Sequence, residues 1–522
     1  MSEHPEGTHV GTQGESPAEI IGLRNRLRAQ WRAQSMETRI GASLGATIAL
    51  AILLFFVDHA LCVAVLTISA LYWMRRLPPL PWRIAAQAVL VALFLIFGPR
   101  SFAAVLAIGF ALFWVPERRR TWVMPLTALV LAALYPFYQD KMFTIPVFGV
   151  WPDVFTAVIM LVFVMMAVGL NIVVGYAGLL DLGYVAFYAT GAYTAAWFAS
   201  EQFAHTTWHL GAVGIDPKLP GIHITVWPLL LLAGIITAVF GILIGLPTLR
   251  LRGDYLAIVT LGFGEILPQV ARNGDSLGGF NLTNGPNGIT PLDSPGFGHG
   301  ISKATGGFLP ANFTACCNAK VLGHVIQSTD VYFWFAILLV IITIFCSLRL
   351  QYSRLGRAWI AIREDETAAA AMGIPLMRTK TWAYASGAFF GGVAGAYYAV
   401  FKSATFPGDF FFNISVFILC MVILGGMGNL TGVVAGAAFL AYLDQEGLAN
   451  TGAWINTNIH IGSHHPNIDV PLYASGIYGL IILIVMLFRP EGLIPSRRRA
   501  AELHEGVHDE PLYEAQHAGA EA

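Results

Sequence analysis

The sequence predicts an all-α fold: a polytopic bundle of transmembrane helices with about 10–14 membrane segments and both termini in the cytoplasm. Three observations carry that expectation. Hydrophobic residues make up 56% of the chain and charged residues only 12%, about half the charged share of ordinary soluble domains. A globule of this size needs a polar surface, whereas lipid accepts apolar faces directly. The apolar residues also fall into separate runs of spanning length, roughly 20 residues each with a range of about 17–25. Finally, the positive charge is distributed asymmetrically between those runs.

Candidate spans lie near residues 40–57, 61–74, 84–98, 102–115, 121–136, 155–174, 179–198, 224–247, 255–271, 331–349, 382–401, 412–427, 430–445 and 473–489. Several are short enough to be tight hairpins or half-helices. With the N-terminus inside, alternation makes 1–39, 74–83, 116–121, 248–254, 349–380 and the tail after 488 the main inside segments. These hold 23 of the 30 Lys and Arg residues. Orientation during insertion follows that bias, and one missed span would scatter it over both sides.

Organisation along the chain follows from the same map. Residues 1–39 are a polar cytoplasmic segment, 40–150 carry additional N-terminal spans, 151–495 form the main bundle, and 496–522 are a disordered cytoplasmic tail. No short apolar stretch with a small-residue cleavage site precedes the first span, so no signal peptide is expected. A net charge of −1 gives no reason to expect a nucleic-acid partner. The five cysteines form neither a disulfide framework nor a CxxC pair. His460, His464 and His465 lack carboxylate partners at ligand spacing apart from Asp469, so no metal site is expected.

Four constellations stand out. The first is the inside segment 353–375, SRLGRAWIAIREDETAAAAMGIP, within a cytoplasmic loop 350–381. Helix formers run from Arg357 to Met372 and stop at Gly373-Ile-Pro375. Trp359, Ile362, Ala369 and Met372 share one helical face, which Glu366 interrupts. Arg357, Arg363, Glu364, Asp365 and Glu366 could form ion pairs at its edge, and Ala368–Ala371 allow close approach. Such a helix tied between two spans suits the transfer of force from a soluble partner. It equally suits a helix lying on the lipid interface.

The second is Asn171–Tyr193, where Gly175, Gly178, Gly183 and Gly191 interrupt apolar sequence. Glycines let helices touch closely or break them beside a cavity. Asp181 is costly in lipid and should face water, a partner or the cytosolic turn. Tyr184, Phe187 and Tyr193 could line a route for an apolar side chain; plain helix packing accounts for the same pattern. The third is Gly425–Gly432, whose Gly-x-x-Gly at 425 and 428 repeats the spacing at 175 and 178. The fourth is Glu265, a lone carboxylate in an apolar run and so a functional candidate by default; Pro268 and Arg272 follow closely, and a position near the membrane interface accounts for it as well. No Gly-x-x-x-x-Gly-Lys-Ser/Thr loop occurs. If ATP drives this machine, another chain must hydrolyse it.

These segments resemble one family. Residues 169–183 (GLNIVVGYAGLLDLG), 246–262 (LPTLRLRGDYLAIVTLG), 353–375, 424–432 (LGGMGNLTG) and 489–495 (RPEGLIP) look like the signatures of branched-chain amino-acid ABC transporter permeases of the LivM type, in order across about 150–495. The resemblance implies a cell-membrane importer subunit for leucine, isoleucine and valine, with no catalysis and no cofactor of its own. Its implied partners are a sister permease subunit in a heterodimer, two cytosolic ATPase subunits that bind the ATP, and an extracytoplasmic solute-binding protein. It also makes 353–375 the segment that docks in the ATPase, so the coupling residues are Gly356, Arg357, Trp359, Ile362, Arg363, Glu364, Asp365, Ala369 and Gly373. Candidates for the translocation pathway are Asn171, Gly175, Tyr176, Gly178, Asp181, Gly183, Tyr184, Phe187, Gly191, Glu265, Gly425 and Gly428. Urea and short-chain amide permeases are similar to this family and stand as the substrate alternative. An ion-coupled secondary transporter would need buried ionisable residues in the spans, of which Glu265 is the main candidate. A membrane-bound enzyme would need a convergent catalytic set, for which the histidines of 446–472 are poorly matched.

Overall fold

The computed structural model describes residues 100–494, apart from 146, 212–218, 252–253, 277, 305–309, 315–319, 322–323, 459–467 and 490–491, with a few residues between 67 and 95. The expectations for the first three spans, His460–His465 and the tail therefore lie largely or wholly outside the described residues. The chain divides into two compact units: residues 1–111 with 144–147, and residues 112–143 with 148–522. The described part of the first is mostly α1 (Arg100–Phe113), whose Phe102 ring meets Phe94 edge-on at 4.7 Å.

The second unit holds the bundle. After α2 (Glu117–Ala133) come α3 (Val154–Leu170), α4 (Val185–Phe198), α5 (Val226–Thr248), α6 (Asp254–Arg272) and α7 (Ser328–Gln351). They are followed by α8 (Arg354–Glu364), α9 (Glu366–Ala371), α10 (Leu376–Lys402), α11 (Phe412–Gly425), α12 (Leu430–Tyr442), α13 (Leu448–Asn458) and α14 (Ala474–Phe488), with short helical segments also at Tyr135–Tyr138 and Gly298–Ala304. Among the described residues, five helical stretches are long and apolar enough to cross a membrane: 154–176, 226–248, 328–351, 407–425 and 470–488. Each coincides with a span expected from the sequence to within a few residues, apart from a five-residue lead-in at 407–411. The chain is a multi-pass membrane protein.

Burial orders the bundle. The stretch 154–176 is 78% buried and 470–488 only 11%, so α3 is central and α14 peripheral. Asp153 starts α3 by accepting the Thr156 N–H at 2.7 Å, satisfying one of the orphan donors of a helix N-terminus. α10 packs along both α4 and α5, and the seam with α4 is glycine-tight. A Cβ at Gly191 would lie 2.0 Å from the Gly392 carbonyl oxygen. Backbones approach that closely only where no side chain intervenes.

At one end of the bundle, β1 (Ala199–Ser200), β3 (Gly221–Ile224) and β2 (Thr207–Leu210) form a small sheet in that order. The loop 281–297 folds over this end. Trp197 Nε1 donates to the Leu282 carbonyl at 2.8 Å, and Trp227 Nε1 to that of Gly296 at 2.9 Å. His223, 1% exposed, meets the Asp293 carboxylate at 2.8 Å, and its ring stacks on His209 at 5.0 Å. Burial raises the Asp293 carboxyl above its usual range, partly offset by His223. The loop expected to lie outside is therefore a folded cap where it is described. Its anchors are indoles on the spans, paired with carbonyls far along the chain.

Candidate functional site

The site is built at the opposite end, where segments expected to be functional on separate grounds converge. α3 does not run straight into a turn. It widens into a π-turn at Asn171–Tyr176, a rare form concentrated at functional positions. Two foreign groups hold it. Asn171 Oδ1 accepts the Gly428 N–H at 2.9 Å, and Arg363 Nη1 donates to the Gly175 carbonyl at 2.5 Å. Gly178 and Gly428 lie at φ +70° and +84°, in the left-handed region that glycine enters freely. A Cβ at Gly178 would come within 2.8 Å of Arg363 Cγ, and one at Gly428 within 3.0 Å of Arg363 Nη1. The repeated Gly-x-x-Gly spacing thus marks two turns that meet across one guanidinium.

The guanidinium comes from the 353–375 segment, which differs from expectation. It is not one helix from Arg357 to Met372 but two, α8 and α9, broken at Asp365. Asp365 leaves helical geometry (φ −153°, ψ 112°) and caps α9, accepting the Thr367 and Ala368 N–H groups at 2.7 and 3.0 Å. An aspartate that caps a new helix outcompetes continuation of the old one. The break also corrects the predicted face. Trp359, Ile362 and Ala369 are buried as expected, but Met372 is 84% exposed.

Three ties seat the segment. Ser353 caps α8 through the Gly356 N–H at 3.1 Å. Gly356 sits where a Cβ would strike the Leu350 and Gln351 carbonyls at 2.3 Å; α8 thereby folds hard against the end of α7. The fully buried Trp359 donates to the Thr379 carbonyl at 2.8 Å. Glu366 pairs at 2.7 Å with Lys380, which is 6% exposed. That pair explains why a carboxylate interrupts the apolar face, and nothing in local spacing announced it. Arg357, Glu364, Asp365 and Gly373 are exposed, with Arg357 Nη1 donating to the Tyr352 carbonyl at 3.1 Å.

The Glu366–Lys380 pair gives a test of the seat. Glu366→Gln strands a buried ammonium and is expected to cost about 3 kcal/mol, within the range for breaking such pairs. Adding Lys380→Met should recover most of that loss. Thermal unfolding of the purified subunit reads both.

The Gly-rich stretch after the π-turn leads into α4 across an extended break. Leu182 N–H donates to Thr260 Oγ1 of α6 at 3.1 Å, and Val185 N–H to Ser415 Oγ of α11 at 2.8 Å. The first N–H of α4 is thus satisfied by a side chain of α11. A Cβ at Gly183 would sit 2.2 Å from the Thr260 carbonyl. Asp181 is 1% exposed and accepts the Gly183 N–H at 2.9 Å; it faces neither water nor the turn surface. Tyr176, Tyr184 and Phe187 are also buried. Tyr184 donates to the Gly387 carbonyl at 3.0 Å, and its ring meets Phe187 edge-on at 5.9 Å. Of the pathway candidates, Glu265 stands apart on α6 with an exposed side chain.

Gly425 packs against the backbone of Gly432, its built Cβ 2.4 Å from that carbonyl. The chain after α14 returns to the same place. Leu493 N–H donates to the Leu424 carbonyl at 2.9 Å, and Asn429 Nδ2 to that of Ile494 at 2.8 Å. Within the 489–495 motif, Leu493 and Ile494 therefore clasp the 424–429 turn. Thr260, Thr379, Lys380 and Ser415 were not singled out from the sequence. Each acts through a partner remote along the chain, which no local pattern reveals.

The family described as branched-chain amino acid transport system permease component matches residues 154–486. The chain belongs to this family. The match takes in the π-turn, the α8–α9 segment and both glycine turns of the permease. The LivM permease of the high-affinity branched-chain amino acid transport system of Salmonella typhimurium is 35% identical over 383 residues, covering 72% of this chain and 76% of the relative. The Escherichia coli LivM permease is 34% identical over 381 residues, 73% and 76% of the two chains. A probable LivM permease of Methanocaldococcus jannaschii is 24% identical over 275 residues, 52% and 69%. No solved structure matches the permease.

Proposed function

We propose that this permease is one of two transmembrane subunits of an ATP-driven importer that passes leucine, isoleucine and valine inward by alternating access. In this reading α8 and α9 are the lever. Their outward face, with Met372 84% exposed beside the small residues Ala370 and Ala371, docks in a cleft of a cytosolic ATPase. A sister permease closes the route from the other side, and a solute-binding protein delivers the amino acid to the capped end.

The observation that carries this reading is the Arg363 strut. A lever moves a pathway only if it is rigidly tied to it. Here the Arg363 guanidinium joins α8 to the π-turn of the central helix, and Asn171 joins that turn to the 425–428 turn. When the ATPases close on nucleotide, displacement of α8 would be passed to α3 and α11 without slack. The chain needs no nucleotide of its own for this, because its contribution is conformational.

The test is reconstitution with the sister subunit, both ATPases and the binding protein in proteoliposomes. ATP-dependent accumulation of leucine is expected. Accumulation of urea without leucine would move the substrate to the amide branch. Uptake driven by an ion gradient in the absence of the ATPases would overturn the mechanism.

A further inference from the structure

The helices of the bundle differ in what they show to the outside of this subunit. The exposed positions of α5 are Pro228, Leu231, Ile235, Val239, Leu243, Leu246 and Pro247, all apolar, as a lipid-facing helix requires. α6 does not follow that rule. Its inner face (Leu256, Ala257, Thr260, Gly264, Pro268, Ala271) is buried, with α4 and α11 among its neighbours. Its outer face carries Glu265 and Gln269, followed by Asn273 just past its last residue, all exposed. The three recur every fourth residue and so form one stripe along a helix. Glu265 is the twelfth residue of nineteen in α6, near mid-length. Among the described residues no cation pairs with it at salt-bridge distance.

Lipid accepts an unpaired carboxylate only at high cost, and such groups face water-filled routes or polar partners. The stripe also borders a shallow open concavity of about 430 Å³, lined by Glu265, Ile266, Gln269, Val270 and Asn273. One turn before Glu265, a Cβ built at Gly262 meets nothing within 4 Å. The surface is thus a polar line flanked by aliphatic groups. It runs from mid-helix toward the sheet-capped end, where α6 finishes.

We propose that this face of α6 lines the aqueous route between the subunit and its sister, and that the Glu265 carboxylate takes the α-ammonium group of the passing amino acid. The assignment rests on the importer reading above. Ile266 and Val270, beside the carboxylate, offer the apolar contact that a branched aliphatic side chain takes. Gln269 supplies a neutral amide for the substrate carboxylate. A route built in this way favours a zwitterion over urea or a simple amide, which bring no ammonium to pair.

The reconstituted complex tests the proposal in two ways. Glu265→Gln keeps the shape and removes the charge; it is expected to lower leucine uptake at least tenfold, while Glu265→Asp retains most of it. Wild-type uptake by Glu265→Gln would overturn the ammonium assignment. Separately, Gln269→Cys in a background lacking the five native cysteines should react with a membrane-impermeant charged maleimide and be protected by leucine during turnover. Leu243→Cys, on the exposed apolar face of α5, should not react. Equal inertness at both positions would place α6 against lipid and overturn the route. If the wild-type complex carries no amino acid, the importer reading itself falls and the ammonium assignment falls with it. Leucine uptake that is normal in both wild type and Glu265→Gln removes only the latter.

Discussion

Arg363→Ala is expected to leave ATP hydrolysis running and to cut amino-acid uptake about tenfold or more. The substitution removes a charge-assisted hydrogen bond to the Gly175 carbonyl, worth about 1.5–3 kcal/mol in comparable settings. Each 1.4 kcal/mol is roughly a factor of ten in an equilibrium. The loss falls on the link between lever and pathway, because Trp359 and the Glu366–Lys380 pair still seat the lever. The ATPases should therefore dock and cycle without moving the π-turn. Uptake and phosphate release, measured on the same proteoliposomes, give the ratio that decides it. Arg363→Lys should recover only part of the coupling, since an ammonium offers a point charge and not a planar fork. An unchanged ratio of uptake to hydrolysis in Arg363→Ala would remove the strut from the mechanism.

Gly191→Ala is expected to have the largest effect on folding. The added Cβ would sit 2.0 Å from the Gly392 carbonyl oxygen and 2.5 Å from its Cα. Both are backbone, so no side chain can swing away. α4 and α10 must part along a seam that is equally tight at Gly395, whose Cβ would meet the Tyr188 carbonyl at 1.9 Å. Overpacking in a close-packed interior costs about 1–3 kcal/mol, occasionally more, and here the strain falls on two backbones at once. The yield of folded protein in detergent should fall sharply. Gly476→Ala, in α14 with nothing within 4 Å, should be neutral or slightly stabilising, because Ala is the better helix former by about 1 kcal/mol. Parallel thermal melts of the two variants separate a packing requirement from a general intolerance of the extra methyl group.

The bundle was legible in the sequence because lipid enforces a simple code. Apolar runs of spanning length located the long helices to within about six residues at their ends. Trp359 and Ile362 were placed on a buried face by helical spacing alone. What spacing could not give was anything set by tertiary pairing. Asp365 reads as one more charge in a helical run, and only the competition between capping and continuation turns it into a break. Glu366 looks like a flaw in a pattern until Lys380 appears across from it. Asp181 reads as a group that wants water, yet the fold buries it. The glycines at 175 and 428 were noticed for their matching intervals. That they meet, with Arg363 between them, depends on chain segments some 250 residues apart and is invisible to any local window.

The clasp formed by Leu493 and Ile494 bears on how the subunit is made. The π-turn is translated early, but the α8–α9 segment comes well past the middle of the chain, and Gly428, which donates to Asn171, comes 257 residues after that asparagine. The 424–429 turn that holds Gly428 is itself closed by the last described residues of the chain. A nascent polypeptide therefore threads nearly all its long helices before this joint is fully closed. Chains that terminate prematurely, even within the final helix, lack the latch. The order in which the ribosome delivers these segments thus puts closure of the 424–429 turn after synthesis of the final helix.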